Sequence, residues 1–245
     1  MPTLPLLATP PSPRRPTPPS PRRPKPPPQA AARPLTDTGR MSERTVRAYV
    51  GLGANVGDAE ATLRKAIHAL ATPAGMRIHA VSRLYATDPV GDIDQPEFRN
   101  AAIALDVPAG ADPEIGALSL LAVLKDLERA FGRRQRRRWG PRELDLDLLI
   151  FGRARLSVER PADARSLEAD TDPAKASKLL VVPHPAAATR LFVLAPLADL
   201  APRLTPPGWG HTVETARRRQ VTMEGPDAVR VIGAWDPATG AWRPL

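Results

Sequence analysis

Apolar residues recur at every second position in some stretches of this chain and at every third or fourth in others, and that contrast outlines its elements. Val46, Ala48, Val50 and Leu52 alternate as a β-strand that runs into Gly51-Leu52-Gly53-Ala54-Asn55-Val56-Gly57-Asp58. Asp58 is suited to cap a helix that carries Leu63, Ala66, Ile67 and Leu70 on one face. Residues 77–86 read as a second strand and 100–107 as a third, joined by a polar loop rich in turn formers. Asp112-Pro113 starts a helix with a capping acid and a proline at the first helical position; Leu120, Leu124, Leu127 and Phe131 continue it and Gly132 ends it. Leu144, Leu146 and Leu148 then alternate with Asp145 and Asp147, a strand with one face for a core and two carboxylates on the other.

Farther on, residues 157–178 are charged and poor in large apolar groups, which reads as a surface insertion. Val181 and Val182 lead into Pro183-His184-Pro185 and a short helix-like stretch through Arg190 and Phe192. Residues 221–245 are weakly patterned and read as a C-terminal extension, with a strand expected at 228–235. Interleaved strands and helices with short polar connections suit an α+β sandwich better than a long doubly wound sheet.

Composition changes this picture mainly at the N-terminus. Fourteen of the 31 prolines and seven Lys/Arg against one acid lie in residues 1–40, so this segment contributes +6 of the net +9. With almost nothing to bury, it is expected to be disordered or polyproline II, and Met41 directly precedes the first strand-like segment as the expected start of the folded part. The high isoelectric point is therefore a poor argument for nucleic-acid binding by the remaining residues. The absence of cysteine excludes disulfides, thiolate zinc sites and cysteine nucleophiles. No apolar run approaches the roughly 20 residues that span a bilayer, and a cytoplasmic enzyme without a membrane partner is expected.

The candidate chemistry gathers around the Leu/Asp strand. Two carboxylates on one strand face repel unless a cation sits between them, and magnesium prefers one or two carboxylates with phosphate oxygens and water. The run Arg133-Arg134-Gln135-Arg136-Arg137-Arg138, with Arg142, suits polyphosphate, because guanidinium forks match phosphate oxygens. Together they suggest magnesium-nucleotide chemistry. The Gly51-x-Gly53-x-x-x-Gly57 turn has the wrong spacing for a dinucleotide fingerprint and lacks the P-loop ending. His184 is rigidly presented between prolines, either as a packing residue or as a hydrogen-bond donor beside phosphate.

These segments, in this order, resemble the folate-pathway pterin pyrophosphokinase family. The matching pieces are Tyr49 to Gly57, Tyr85-Ala86-Thr87-Asp88-Pro89-Val90-Gly91 with Asp94 to Asn100, Glu128 with Gly132-Arg133, Arg138-Trp139-Gly140-Pro141-Arg142-Glu143-Leu144-Asp145-Leu146-Asp147, and Val182-Pro183-His184-Pro185 with Arg190 to Leu194. The resemblance covers about residues 45–205 and implies a ferredoxin-like sandwich with a central, mainly antiparallel sheet and helices on both faces, the domain being expected over residues 45–220. It implies transfer of pyrophosphate from ATP to 6-hydroxymethyl-7,8-dihydropterin; a monomer that binds no nucleic acid is expected. By resemblance, Asp145 and Asp147 would hold two magnesium ions, Arg133 would engage the transferring group, and Arg142 would bind phosphate. Lys125, Glu128, Arg138, Trp139, His184 and Arg190 would contact ATP. Asn100 would pair with the pterin edge, Phe98 and Phe192 would stack on its ring, and Thr87 to Val90 would complete the pocket. Gln135 departs from the family, which commonly carries another arginine there.

Overall fold

Alternation in β1 (Thr45–Ala54) puts Ala48, Val50, Leu52 and Ala54 on a buried face, each no more than 3% exposed. In the computed structural model, which describes residues 44–89, 94–132, 142–161 and 177–245, β1 is flanked by antiparallel partners on both sides. One is β4 (Phe98–Pro108), paired from Thr45↔Pro108 to Ala54↔Arg99, and the other is β5 (Asp145–Phe151). Beyond β4 lie β2 (Arg77–Val81) and β3 (Leu84–Thr87), each paired with a different half of it.

The single strand expected at 77–86 is thus two, and Ser82 explains the break. Ser82 N–H donates to the Ala102 carbonyl at 2.9 Å, while its hydroxyl oxygen accepts the Ala102 N–H at 2.8 Å. A side chain occupies the ladder position that a carbonyl would fill, and the chain bends there.

Outside the main sheet, β6 (Leu156–Glu159) and β7 (Lys178–Val182) pair as a separate antiparallel ribbon. Residues 157–159 of the expected insertion are therefore strand, whereas 162–176 lie outside the described residues. The C-terminal segment enters the main sheet: β8 (Arg230–Asp236) pairs with β3, and β9 (Ala241–Pro244) pairs with β8. The expected strand at 228–235 exists, displaced by about two residues. The expectations for residues 1–40 lie outside the described residues.

Helices cover both faces of this mainly antiparallel sheet, the α+β arrangement expected. On one face α1 (Ala59–Leu70) and α2 (Pro113–Ala130) bury Leu63, Ile67, Leu70, Leu120 and Leu124 against the inward residues of β1 and β5. Both are capped by acids, with Asp58 Oδ1 accepting Ala61 N–H at 3.0 Å and Asp112 Oδ1 accepting Ile115 N–H at 2.9 Å. On the other face α3 (Leu191–Leu200) and α4 (Val213–Glu224) close over Leu149, Ile150 and Tyr85. No helix among the described residues is long and apolar enough to cross a membrane.

Asp199 pins α3 to the sheet. Its carboxylate accepts the Tyr85 hydroxyl at 2.8 Å and the Arg83 backbone N–H at 3.0 Å, and the Arg83 guanidinium pairs with it. Burial pushes the Tyr85 phenol pKa up, and the Asp199 charge adds to the shift. Asp199→Ala removes the carboxylate from the largely buried Tyr85 hydroxyl and from the Arg83 backbone N–H. It should cost about 2 kcal/mol in chemical denaturation.

Glu214 gives a pH dependence. Hydrogen bonds from Arg217, then Arg218, hold its carboxyl at about 2, below the ordinary 4.5. Its contribution is complete above pH 4.5 and is lost as pH falls towards 2. A melting series from pH 5 to 2 should therefore show a smaller acid loss for Glu214→Gln than for wild type.

Candidate active site

Register decides what faces the upper side of the sheet. Gly53 pairs with Asp145 and Gly51 with Asp147, so each carboxylate stands across from a residue with no side chain. Leu144, Leu146 and Leu148 point the other way and are buried in the α1/α2 core. On its far side Gly53 pairs with Asn100, and a Cβ on Gly53 would lie 3.4 Å from Asn100 Oδ1. Aspartate, bare backbone and amide thus form one row across three strands.

Above that floor lies a cleft of about 360 Å³. Strand order puts Asp145 and Asp147, with Arg142 before them, at the β5 end of its lining and Thr87, Phe98 and Asn100 at the β3/β4 end, and His184, Arg190 and Phe192 line it too. Arg142 Nη1 stands 3.2 Å from Asp145 Oδ1, so a cation already offsets part of the carboxylate charge. Asn100 is 5% exposed and donates from Nδ2 to Thr87 Oγ1 at 2.8 Å, which fixes its amide plane. His184 donates its backbone N–H to the Leu149 carbonyl at 2.9 Å, tethering it beside β5. The Arg190 guanidinium lies 5.7 Å from the centroid of the Phe192 ring, within cation–π range.

Eight sequence-derived candidates therefore meet in one cleft: Thr87, Phe98, Asn100, Arg142, Asp145, Asp147, His184 and Arg190, joined by Phe192 as a ninth. Lys125 and Glu128 do not line it. Glu128 is buried, and its Oε1 accepts the Leu146 N–H at 2.7 Å and Lys125 Nζ at 2.8 Å, while Lys125 Nζ also donates to the Leu146 carbonyl at 3.1 Å. They satisfy the outer edge of β5 midway between the two aspartates. Val90, Arg133, Arg138 and Trp139 lie outside the described residues.

Sequence reasoning gave no role to Asn55, a polar side chain that is only 2% exposed. Its Oδ1 accepts the Arg142 N–H at 2.7 Å, its N–H donates to the Arg142 carbonyl at 3.0 Å, and its Nδ2 donates to Gln95 Oε1 and the Pro96 carbonyl at 3.1 and 3.0 Å. One amide joins the approach to β5 with the approach to β4. A polar residue directly after the Gly-x-Gly strand was its signal. Glu224, Ala228 and Val229 also line the cleft, and no local pattern marked them.

Comparison with known proteins shows which family the chain is similar to. The family model described as 7,8-dihydro-6-hydroxymethylpterin-pyrophosphokinase (HPPK) matches residues 49–202. A 2-amino-4-hydroxy-6-hydroxymethyldihydropteridine pyrophosphokinase of Methylorubrum extorquens is 42% identical over 158 residues, 64% of this chain and 84% of that protein. The Pseudomonas aeruginosa protein of the same name is 39% identical over 168 residues, covering 69% and 88%. Among solved structures, wild-type Plasmodium falciparum HPPK-DHPS superposes with a TM-score of 0.60 at 17% identity, over 84% of this chain. The chain spans about half the length of that structure, and the likeness concerns the fold.

If Asn55 staples the two approaches, Asn55→Ala should destabilise the protein by about 2 kcal/mol. Asn55→Asp keeps the acceptor for Arg142 N–H but sets a buried carboxylate oxygen against the Gln95 and Pro96 carbonyl oxygens, so its denaturation midpoint at neutral pH should fall to that of Asn55→Ala or below.

Proposed function

Because the chain belongs to the 7,8-dihydro-6-hydroxymethylpterin-pyrophosphokinase family, we infer that it transfers pyrophosphate from ATP to the hydroxymethyl group of 6-hydroxymethyl-7,8-dihydropterin in folate biosynthesis. The observation that carries this reading is the row of Asp145, Gly53 and Asn100, with Asp147 and Arg142 beside it, in one cleft. One end suits a charged polyphosphate and the other a flat ring with a donor–acceptor edge.

In the reaction the hydroxymethyl oxygen forms a bond to the β-phosphorus of ATP. The bond from that phosphorus to the α,β-bridging oxygen breaks, AMP leaves, and the hydroxyl proton passes to solvent. No covalent enzyme intermediate is needed, so the protein's work is alignment and charge neutralisation. Phe98 and Phe192 offer aromatic faces for the pterin, and Asn100, oriented by Thr87, offers its amide to the ring edge. Arg142, Arg190 and His184 offer donors to the phosphates, and Arg133, Arg138 and Trp139 are proposed to contact ATP.

Asp145 and Asp147 would hold magnesium. The donor set fits a hard cation: half-buried carboxylates two positions apart stand over glycines that leave room for phosphate oxygens and water. When bound, the metal supplies charge neutralisation at the phosphate oxygens. The enzyme is proposed to act as a cytoplasmic monomer.

The test is AMP release from ATP and magnesium with and without 6-hydroxymethyl-7,8-dihydropterin. Pterin-dependent AMP is expected, and pterin-independent release or none would contradict the reading. Asp145→Asn and Asp147→Asn should each lower turnover on the order of 100-fold with the circular dichroism spectrum unchanged. Arg133→Ala should depress kcat far more than it raises either KM. A chain lacking residues 1–40 should keep wild-type kcat.

A further inference from the structure

We propose that residues 224–230, which follow the family-matched region 49–202, brace the acceptor end of the cleft, with Glu224 and Arg230 as positioning residues. The inference rests on the functional reading above, in that it assigns the braced end to the pterin.

Each residue that this brace holds is the immediate neighbour of one that lines the acceptor end. Glu224, the last residue of α4, accepts the Leu191 N–H on Oε1 at 3.0 Å. Leu191 opens α3, whose cap residue Arg190 makes no side-chain cap hydrogen bond. A carboxylate from another helix thus fills the capping role, at the end where the helix dipole favours negative charge. Arg190 and Phe192, on either side of Leu191, both line the cleft.

Arg230, the first residue of β8, reaches the other wall. Its guanidinium pairs with Glu97 and lies 3.4 Å from Asp88 Oδ1. Asp88 follows Thr87 and Glu97 precedes Phe98, and Thr87 and Phe98 are themselves cross-strand partners. One cation therefore gathers both legs of the chain that carry the ring-binding residues. Glu97 also pairs with Arg99 at 2.9 Å, which fixes the carboxylate that Arg230 meets. Between the two anchors Ala228 and Val229 line the cleft directly.

The Arg230 anchor bears on the acceptor end only, whereas Glu224 holds a residue flanked by both Phe192 and the phosphate donor Arg190. Asp145, Asp147 and Arg142 are held by β1, Asn55 and the α2 edge contacts, and none of these involves 224–230. Arg230 and Glu97 side chains are each 42% exposed, so the pairing contributes little to global stability and its loss should be read in binding.

The experiment uses the full chain with Glu224→Ala, Glu224→Gln, Arg230→Ala and Arg230→Lys, measuring KM for each substrate, kcat and melting temperature. Each alanine variant should raise the pterin KM about fivefold, and Arg230→Ala should leave the ATP KM unchanged. Glu224→Gln, which keeps the acceptor, and Arg230→Lys, which keeps the charge, should recover most of that loss. A pterin KM unchanged in both alanine variants, or an ATP KM that rises with the pterin KM in Arg230→Ala, would overturn the proposal. Hydrogen exchange tests the brace without substrate: Glu224→Ala should speed exchange at the Leu191 N–H, and Arg230→Ala at residues 86–88 and 98–100. If wild type fails to use the pterin, the functional reading falls, and unchanged exchange in both variants would separately overturn the brace.

Discussion

Everything at this site depends on the register in which Val50 to Gly53 of β1 pair with Leu148 to Asp145 of β5, beyond the irregularity between Tyr49 and Val50. A strand has a side-chain period of two, so a slip by one residue would bury Asp145 and Asp147 and expose Leu144, Leu146 and Leu148. The cost of burying two carboxylates makes that slip prohibitive. The same register sets Gly53 and Gly51 opposite the acids. Larger residues there would fill the space above the sheet that phosphate requires, and the strand's local weakness is offset by partners on both sides. Lys125 and Glu128 secure the free edge of β5 at Leu146, so the strand is fixed along both margins where the acids project.

The two faces of the sheet divide the work. Below, α1 and α2 build an aliphatic core on the inward residues of β1, β4 and β5. Above, α3 and α4 pack on smaller apolar clusters and leave the cleft open between α3 and the two aspartates. Polar groups on that side are held by specific bonds: Asn55 to Arg142, Asn100 to Thr87, Asp199 to Tyr85. Hydrogen bonds between neutral groups are individually modest, and their value here is orientation.

Legibility followed the range of the interactions. The alternation of β1 and β5, the Asp58 and Asp112 caps and the aspartate pair are local patterns, and each was readable from a few adjacent residues. The break at Ser82 was not, because it depends on a hydroxyl meeting Ala102 across the sheet. Residues 157–159 looked like surface because their partner, β7, follows a long charged stretch. The C-terminal segment looked idle because β8 meets β3 roughly 145 positions earlier in the chain. Lys125 and Glu128 show the converse limit. Sequence put them near the site, but only the fold reveals that they hold the edge of β5, outside the cleft.

The most direct test of the central claim is calorimetric titration of wild type, Asp145→Asn and Asp147→Asn with a non-hydrolysable ATP analogue, with and without magnesium. If the paired carboxylates over the glycine floor hold the metal-bound nucleotide, wild type should bind tightly only with magnesium, and both variants should lose that metal-dependent gain. Equal affinity with and without magnesium, or variants that keep the full gain, would contradict the account.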